Sequence, residues 1–260
     1  MNNKFREFNL ALIAMVMGIL FFSSCVPMKK QIYLQTSEDT AKSEYQNEKL
    51  LDYKLRPGNN LYIQVVSLTD EVSGYFNMGL GTSGNIYYDA AIYLTSYSVN
   101  DLGYIEMPFI GKIHVDNLTV EETKGKIQKQ VDIYLKKTMV IVKLVNYNVS
   151  IVGEVKRPGQ FKVYQDKINL FEVLALAGDM TTFAKREDVV LVRKTEKGSK
   201  VHHLNLLDTD ILESELFYIM PDDIIYVQPV RGKNFAFTQF PYALLISSIS
   251  LIIALFALTK

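Results

Sequence analysis

Apolar and polar positions alternate through Leu61, Tyr62, Ile63, Gln64 and Val65, a period of two that predicts a half-buried β-strand. The preceding Leu55, Arg56, Pro57 and Gly58 supply the turn into it. Strand character returns from Tyr104 to Val115, punctuated by Pro108 and Gly111, and again over Met139 to Val145 and Val149 to Val155. Pro158 and Gly159 predict a tight turn before Phe161 to Tyr164. Val189 to Arg193, Val201 to Leu204 and Ile224 to Val227 are three further β-rich runs.

Two stretches change to a helical period. Thr119 followed by Glu122 is a capping box, and Ile127, Val131, Tyr134 and Leu135 behind it form one apolar stripe. Asn169 with Glu172 repeats the device ahead of Leu170, Phe171, Val173, Leu174 and Leu176, and Gly178 ends that helix. Strands with one helix in each half give an α+β fold. Gly153, inside a strand pattern, marks a bulge or a close backbone approach.

Both ends of the chain carry apolar runs. Lys4 and Arg6 precede the apolar stretch Leu10 to Phe22, and Ser23, Ser24 and Cys25 follow it, the layout of a bacterial lipoprotein signal. That stretch is thirteen residues, short of the roughly 20 a membrane span needs, so residues 1–24 are expected to be removed and Cys25 to be acylated. Each buried methylene of an acyl chain contributes about 0.8 kcal/mol, and more than one chain gives a firm anchor. Residues 25–50 are polar and lack a sustained period, the pattern of a tether. At the other end, Phe240 to Leu258 would rise about 28 Å as a helix, close to the roughly 30 Å hydrocarbon core, so residues 235–260 are expected to span a membrane. Small residues at Ala243, Ser247, Ser250, Ala254 and Ala257 line one side of that helix, for helix packing or for a lumen.

Charge narrows the choices. The 28 basic and 28 acidic residues cancel, and the candidate leader removes only Lys4, Arg6 and Glu7, so no basic field exists to gather nucleic acid. The single cysteine, once acylated, leaves no thiol for disulfide, metal or redox chemistry. His202 and His203 are neighbours, which on a strand face opposite ways, so neither a metal site nor a cofactor is expected. Gly79, Gly81 and Gly84 have dinucleotide-fingerprint spacing, but an aromatic stretch follows instead of a helix, and residues 69–99 are expected to be a loop or hairpin insertion. Glu121 and Glu122 start a helix, and Asp222 and Asp223 follow Pro221 as a turn before a strand. None of these acids forms a recognisable catalytic pair, and no enzyme activity is expected.

Three segments together resemble the outer-membrane polysaccharide export lipoproteins of the Wza type. The first is Tyr53, Lys54, Leu55, Arg56, Pro57 and Gly58 leading into the strand at Leu61. The second is Asp101, Gly103, Ile105, Pro108, Ile110 and Gly111 followed by Leu118, Thr119, Glu121 and Glu122. The third runs from Val152, Gly153, Glu154 and Val155 through Pro158, Gly159 and Gly178 to Asp223, Ile224, Ile225 and Val227. The resemblance implies a polysaccharide export domain over residues 51–147 and a soluble-ligand-binding β-grasp (SLBB) domain over 148–230. It further implies a homo-oligomeric ring in the bacterial outer membrane, lipid-anchored with periplasmic domains. Such a ring would carry capsular or exopolysaccharide outward and meet an inner-membrane polysaccharide co-polymerase. The alternative is a membrane-anchored glycan-binding or accessory protein that forms no channel.

Overall fold

Leu61, Ile63 and Val65 turn one face of strand β1 (Asn60–Ser67) into a core, as their alternation predicts. The computed structural model describes residues 27–36, 42, 44–47, 52–67, 76–77, 89–195 and 197–230, with single positions between 243 and 254. In the first unit β1 lies between β2 (Tyr97–Ser98) and β5 (Thr138–Leu144), antiparallel to both, with Leu61 opposite Leu144 and Ser67 opposite Thr138. Helix α1 (Asp89–Leu94) precedes β2, and the hairpin of β3 (Tyr104–Met107) and β4 (Gly111–His114) turns over Pro108 to Ile110. Helix α2 (Val120–Tyr134) lays Ile127 and Val131 into the core beside Ile105, Met107 and Val140.

The second unit is a five-stranded sheet in the order β10 (Gly198–Leu204), β9 (Ala184–Thr195), β12 (Ile224–Pro229), β6 (Asn148–Gly153), β7 (Gly159–Lys162). β12 runs parallel to β6 and antiparallel to β9, and parallel neighbours require a crossover. That crossover carries helix α3 (Leu170–Leu176), which packs Leu170, Val173 and Leu174 on Val149, Ile151, Leu191 and Ile225. A small pair, β8 (Ile168–Asn169) with β11 (Tyr218–Ile219), leads into α3. The molecule is thus mixed α+β with mostly sheet.

Local chemistry sets the helix ends. Thr119 and Glu122 exchange both bonds of the capping box, and so do Asn169 and Glu172. At the end of α3, Gly178 N donates to Ala175 O and Asp179 N to Leu174 O, the paired bonds of a Schellman motif, with Gly178 at φ +74°. Gly153, at φ +95°, sits where a Cβ would overlap the carbonyl oxygen of Val227, so the close approach read from its position is made by β12.

Four expectations change. Tyr134 is exposed, and the buried residue one turn before Ile127 is Thr123. Pro158 and Gly159 form no tight turn: the bends fall at Glu154, Lys156 and Arg157, and Gly159 already opens β7. Residues 89–99 are not loop, because Tyr97 and Val99 alternate into the first core behind α1. The polar tether is in part a strap laid on the second unit. Leu34 N and Gln35 N donate to Leu206 O and Leu207 O, Tyr33 packs edge-on to Phe171 at 5.7 Å, and the buried Arg186 guanidinium lies 5.1 Å from the Tyr33 ring centre.

Cys25, Ala257 and the glycines at 79, 81 and 84 lie outside the described residues. Most of 235–260 does too, although Ala243, Ser247, Ser250 and Ala254 have helical backbone and are exposed. Among the described residues no helix is long and apolar enough to cross a membrane. Replacing Gly153 by alanine is expected to destabilise the second unit by at least about 2 kcal/mol, from a left-handed backbone plus the overlap with β12. Urea unfolding measures it, and a variant as stable as the parent contradicts this role.

Candidate functional site

The two units meet around a cleft of about 310 Å³. β5 brings Val142 and Leu144 to it from the first unit, and β11 with the turn after it brings Ile219, Met220 and Pro221 from the second. Three tyrosines line it, each held from behind. Tyr147 is buried and its hydroxyl donates to Ile219 O at 2.5 Å. Tyr53 donates to Asn59 Oδ1 at 2.9 Å, with the Arg56 guanidinium 6.0 Å from its ring centre. Tyr218 meets the edge of Phe217 at 5.2 Å. Burial pushes the Tyr53 and Tyr147 phenols up, so they stay protonated donors.

Asn59 explains the turn before β1. Its side-chain oxygen also accepts from Arg56 N at 2.8 Å, which fastens Pro57 and Gly58 in place, and Asn59 is almost wholly buried. Asn146, between the units, donates to Gly58 O and accepts from Asn60 N, both at 2.9 Å. Arg56 Nη1 reaches Lys194 O on β9 at 2.8 Å. The start of β1 is therefore tied to the second unit through backbone groups.

Charges ring the cleft. Lys143 pairs with Asp166 at 2.8 Å and Lys167 with Asp52 at 3.4 Å, each pair joining one unit to the other. Exposed pairs of this kind contribute about 0–1 kcal/mol, so they shape the field more than the stability. Behind the cleft wall lies a stronger interaction. Asp223, buried at the start of β12, accepts from Arg193 Nη2 at 2.7 Å and Nε at 3.1 Å, and from Met220 N at 2.8 Å. Arg193 Nη2 also donates to Tyr218 O at 3.0 Å. Burial raises the Asp223 carboxyl above the usual range, and the Arg193 guanidinium pulls it back.

The sequence pattern predicts a turn at Asp222 and Asp223. The turn exists, with Asp222 at φ +66°, but the partner of Asp223 lies thirty residues away and was missed. Its one trace was a charged residue, Arg193, closing the apolar run from Val189. Asn59 left no such trace.

The motif residues do not converge on the cleft. Pro108 and Gly111 flank the β3–β4 turn, and Gly153, Pro158, Gly159 and Gly178 shape the second unit, where Lys156 N and Arg157 N donate to Asp179 O and Ala177 O beside the end of α3. None of these lines the cleft, whereas Glu121 does. His203 Nδ1 lies 2.5 Å from Asp188, which Lys185 also holds at 2.6 Å, and the hydrogen bonds from Lys185 and from the His203 ring keep that carboxyl below its usual range.

The family described as polysaccharide biosynthesis/export protein matches residues 47–145, and the SLBB domain family matches residues 148–202. The chain belongs to the polysaccharide export family. A curated relative, the EPS I polysaccharide export outer membrane protein EpsA of Ralstonia nicotianae (strain ATCC BAA-1114 / GMI1000), is 28% identical over 160 residues. The match covers 58% of this chain and 41% of the relative, so the chain spans less than half of that protein's length.

Asp223→Ala leaves Arg193 buried without its partner and is expected to cost about 3–5 kcal/mol. Chemical denaturation checks this, and a loss under about 1 kcal/mol, the range of a surface pair, contradicts the buried role.

Proposed function

We propose that this protein exports capsular or exopolysaccharide across the bacterial outer membrane as one component of a homo-oligomeric ring. The reading is carried by the order of the two family matches, export segment then SLBB segment, on a single chain with apolar runs beyond both. The parallel pairing of β6 with β12 across a helix-bearing crossover supports a β-grasp for the second. In this reading Cys25 carries lipid, residues 235–260 form a membrane-spanning helix whose small-residue face packs or lines a lumen, and no bond is made or broken. The partner at the periplasmic end is an inner-membrane polysaccharide co-polymerase.

The exits of the chain support one orientation. Lys30, just after the lipidation segment, pairs with Glu187 at 3.2 Å, and Val230 N, just before the terminal run, donates to Phe183 O at 2.8 Å. Both contacts fall at the start of β9, while Lys194 near its other end touches the first unit. At roughly 3.3 Å per residue β9 is about 36 Å long. Both membrane-directed ends thus leave from the edge of the second unit that points away from the first.

Electron microscopy of the detergent-extracted, lipidated protein is expected to show a symmetric ring with a central lumen, and a solitary molecule would favour a glycan-binding module without a channel. Deleting residues 240–260 is expected to abolish surface polysaccharide while the soluble units stay folded. Undiminished surface polymer in that strain contradicts the channel.

A further inference from the structure

Resting on the export reading, we propose that the cleft between the two units is a subsite for a neutral sugar unit. A volume of about 310 Å³ lies at the small end of ligand pockets, room for a sugar ring or two and not for a folded polymer. Its walls combine apolar side chains with polar groups that converge from both units, the composition a carbohydrate requires. The C–H face of a pyranose is apolar and weakly positive, and it complements the electron-rich face of an aromatic ring. Tyr53 and Tyr218, both half-buried, offer such rings, one from each unit.

Both rings are fixed before any ligand arrives. Tyr53 is held by Asn59 and Arg56, and Tyr218 by Phe217 and by the bond from Arg193 to its carbonyl. Preorganised rings lose little freedom on binding, which favours a weakly held ligand that must also be let go. Hydroxyl groups of a sugar both donate and accept. Gln165 can do the same, Lys143 and Lys167 donate, and Glu215 accepts, all on the cleft lining.

The charge balance selects the class of sugar. Asp52, Glu121, Asp166 and Glu215 face only Lys143 and Lys167 on the lining. Asp52 and Asp166 are taken by those lysines, and Glu121 by Lys124 outside the cleft at 2.9 Å. Glu215 is exposed and has no ion pair among the described residues, so an unbalanced carboxylate stands at the cleft. A uronic acid would meet repulsion there, and a neutral hexose would meet a hydrogen-bond acceptor.

Isothermal titration of the full-length, detergent-extracted protein with maltotriose, cellotriose, mannotriose and trigalacturonate tests the subsite. At least one neutral trisaccharide is expected to bind, and trigalacturonate at least about fivefold more weakly. Tyr218→Ala is expected to weaken the neutral ligand about fivefold and Tyr218→Phe to leave it within about twofold, because the ring and not its hydroxyl stacks. Tyr164→Ala, an exposed tyrosine off the cleft, is expected to change nothing. If Tyr218→Ala fails to fold, the exposed Glu215→Lys still decides the matter: it is expected to raise trigalacturonate affinity about fivefold by reversing the unbalanced charge. No binding by any neutral trisaccharide, equal binding of the acidic one, or indifference to both variants overturns the subsite. Export lost on deleting residues 240–260 would stand in each of those cases, so the subsite and the export reading fail separately.

Discussion

One buried ion pair, within the second unit, fixes the wall of the cleft. Asp223 joins the first residues of β12 to Arg193 on β9 and to the turn after β11, and its carbonyl accepts from Ser150 of β6 at 3.0 Å. Taking two charges out of water is costly, and the cost is offset only where geometry is good and the remaining polar atoms find partners. Here the carboxylate receives Arg193 twice and Met220 N once, and the guanidinium has the Tyr218 carbonyl as well. The return is positional. Three strands and the turn carrying Met220 are brought to one point, and the cleft wall formed by Tyr218, Ile219 and Met220 follows from that.

What could be read in the chain was local. The alternation at Leu61, Ile63 and Val65, the two capping boxes and the helix stop at Gly178 each depend on residues within a few positions of one another, and all are present. What escaped was distant. Tyr33 reaches Asp179 across 146 positions, Arg56 reaches Lys194 across 138, and neither carries a periodic pattern that would announce it. The polar composition of the strap predicts a tether, yet a few residues, Tyr33 to Gln35, are enough to hold it against the second unit. The cleft was invisible for the same reason: its lining is gathered from segments between Asp52 and Pro221.

The strap also gives the family assignment a geometry. Chain entering at Pro27 crosses the second unit before it builds the first, then returns through Asn146 to complete the second. The first unit is therefore connected to it on both sides, and the contacts of Arg56, Asn146 and the two ion pairs at the cleft mouth join the units further. The family matches support the export role proposed for it, and the contacts at the two ends of β9 support the orientation proposed with it.

That orientation is open to direct measurement in lipid. With Cys25 acylated, a cysteine placed at Thr182 or at Phe109 becomes the sole free thiol for a nitroxide label. Thr182 adjoins the edge that Lys30 and Val230 contact, and Phe109 clusters with Phe76 and Tyr134 at the end of the first unit away from the junction. In lipid vesicles carrying a nickel-chelating lipid, the label at Thr182 is expected to relax strongly and the label at Phe109 to remain unaffected. Equal relaxation at the two positions, or the reverse order, contradicts a molecule hung from the membrane by its second unit.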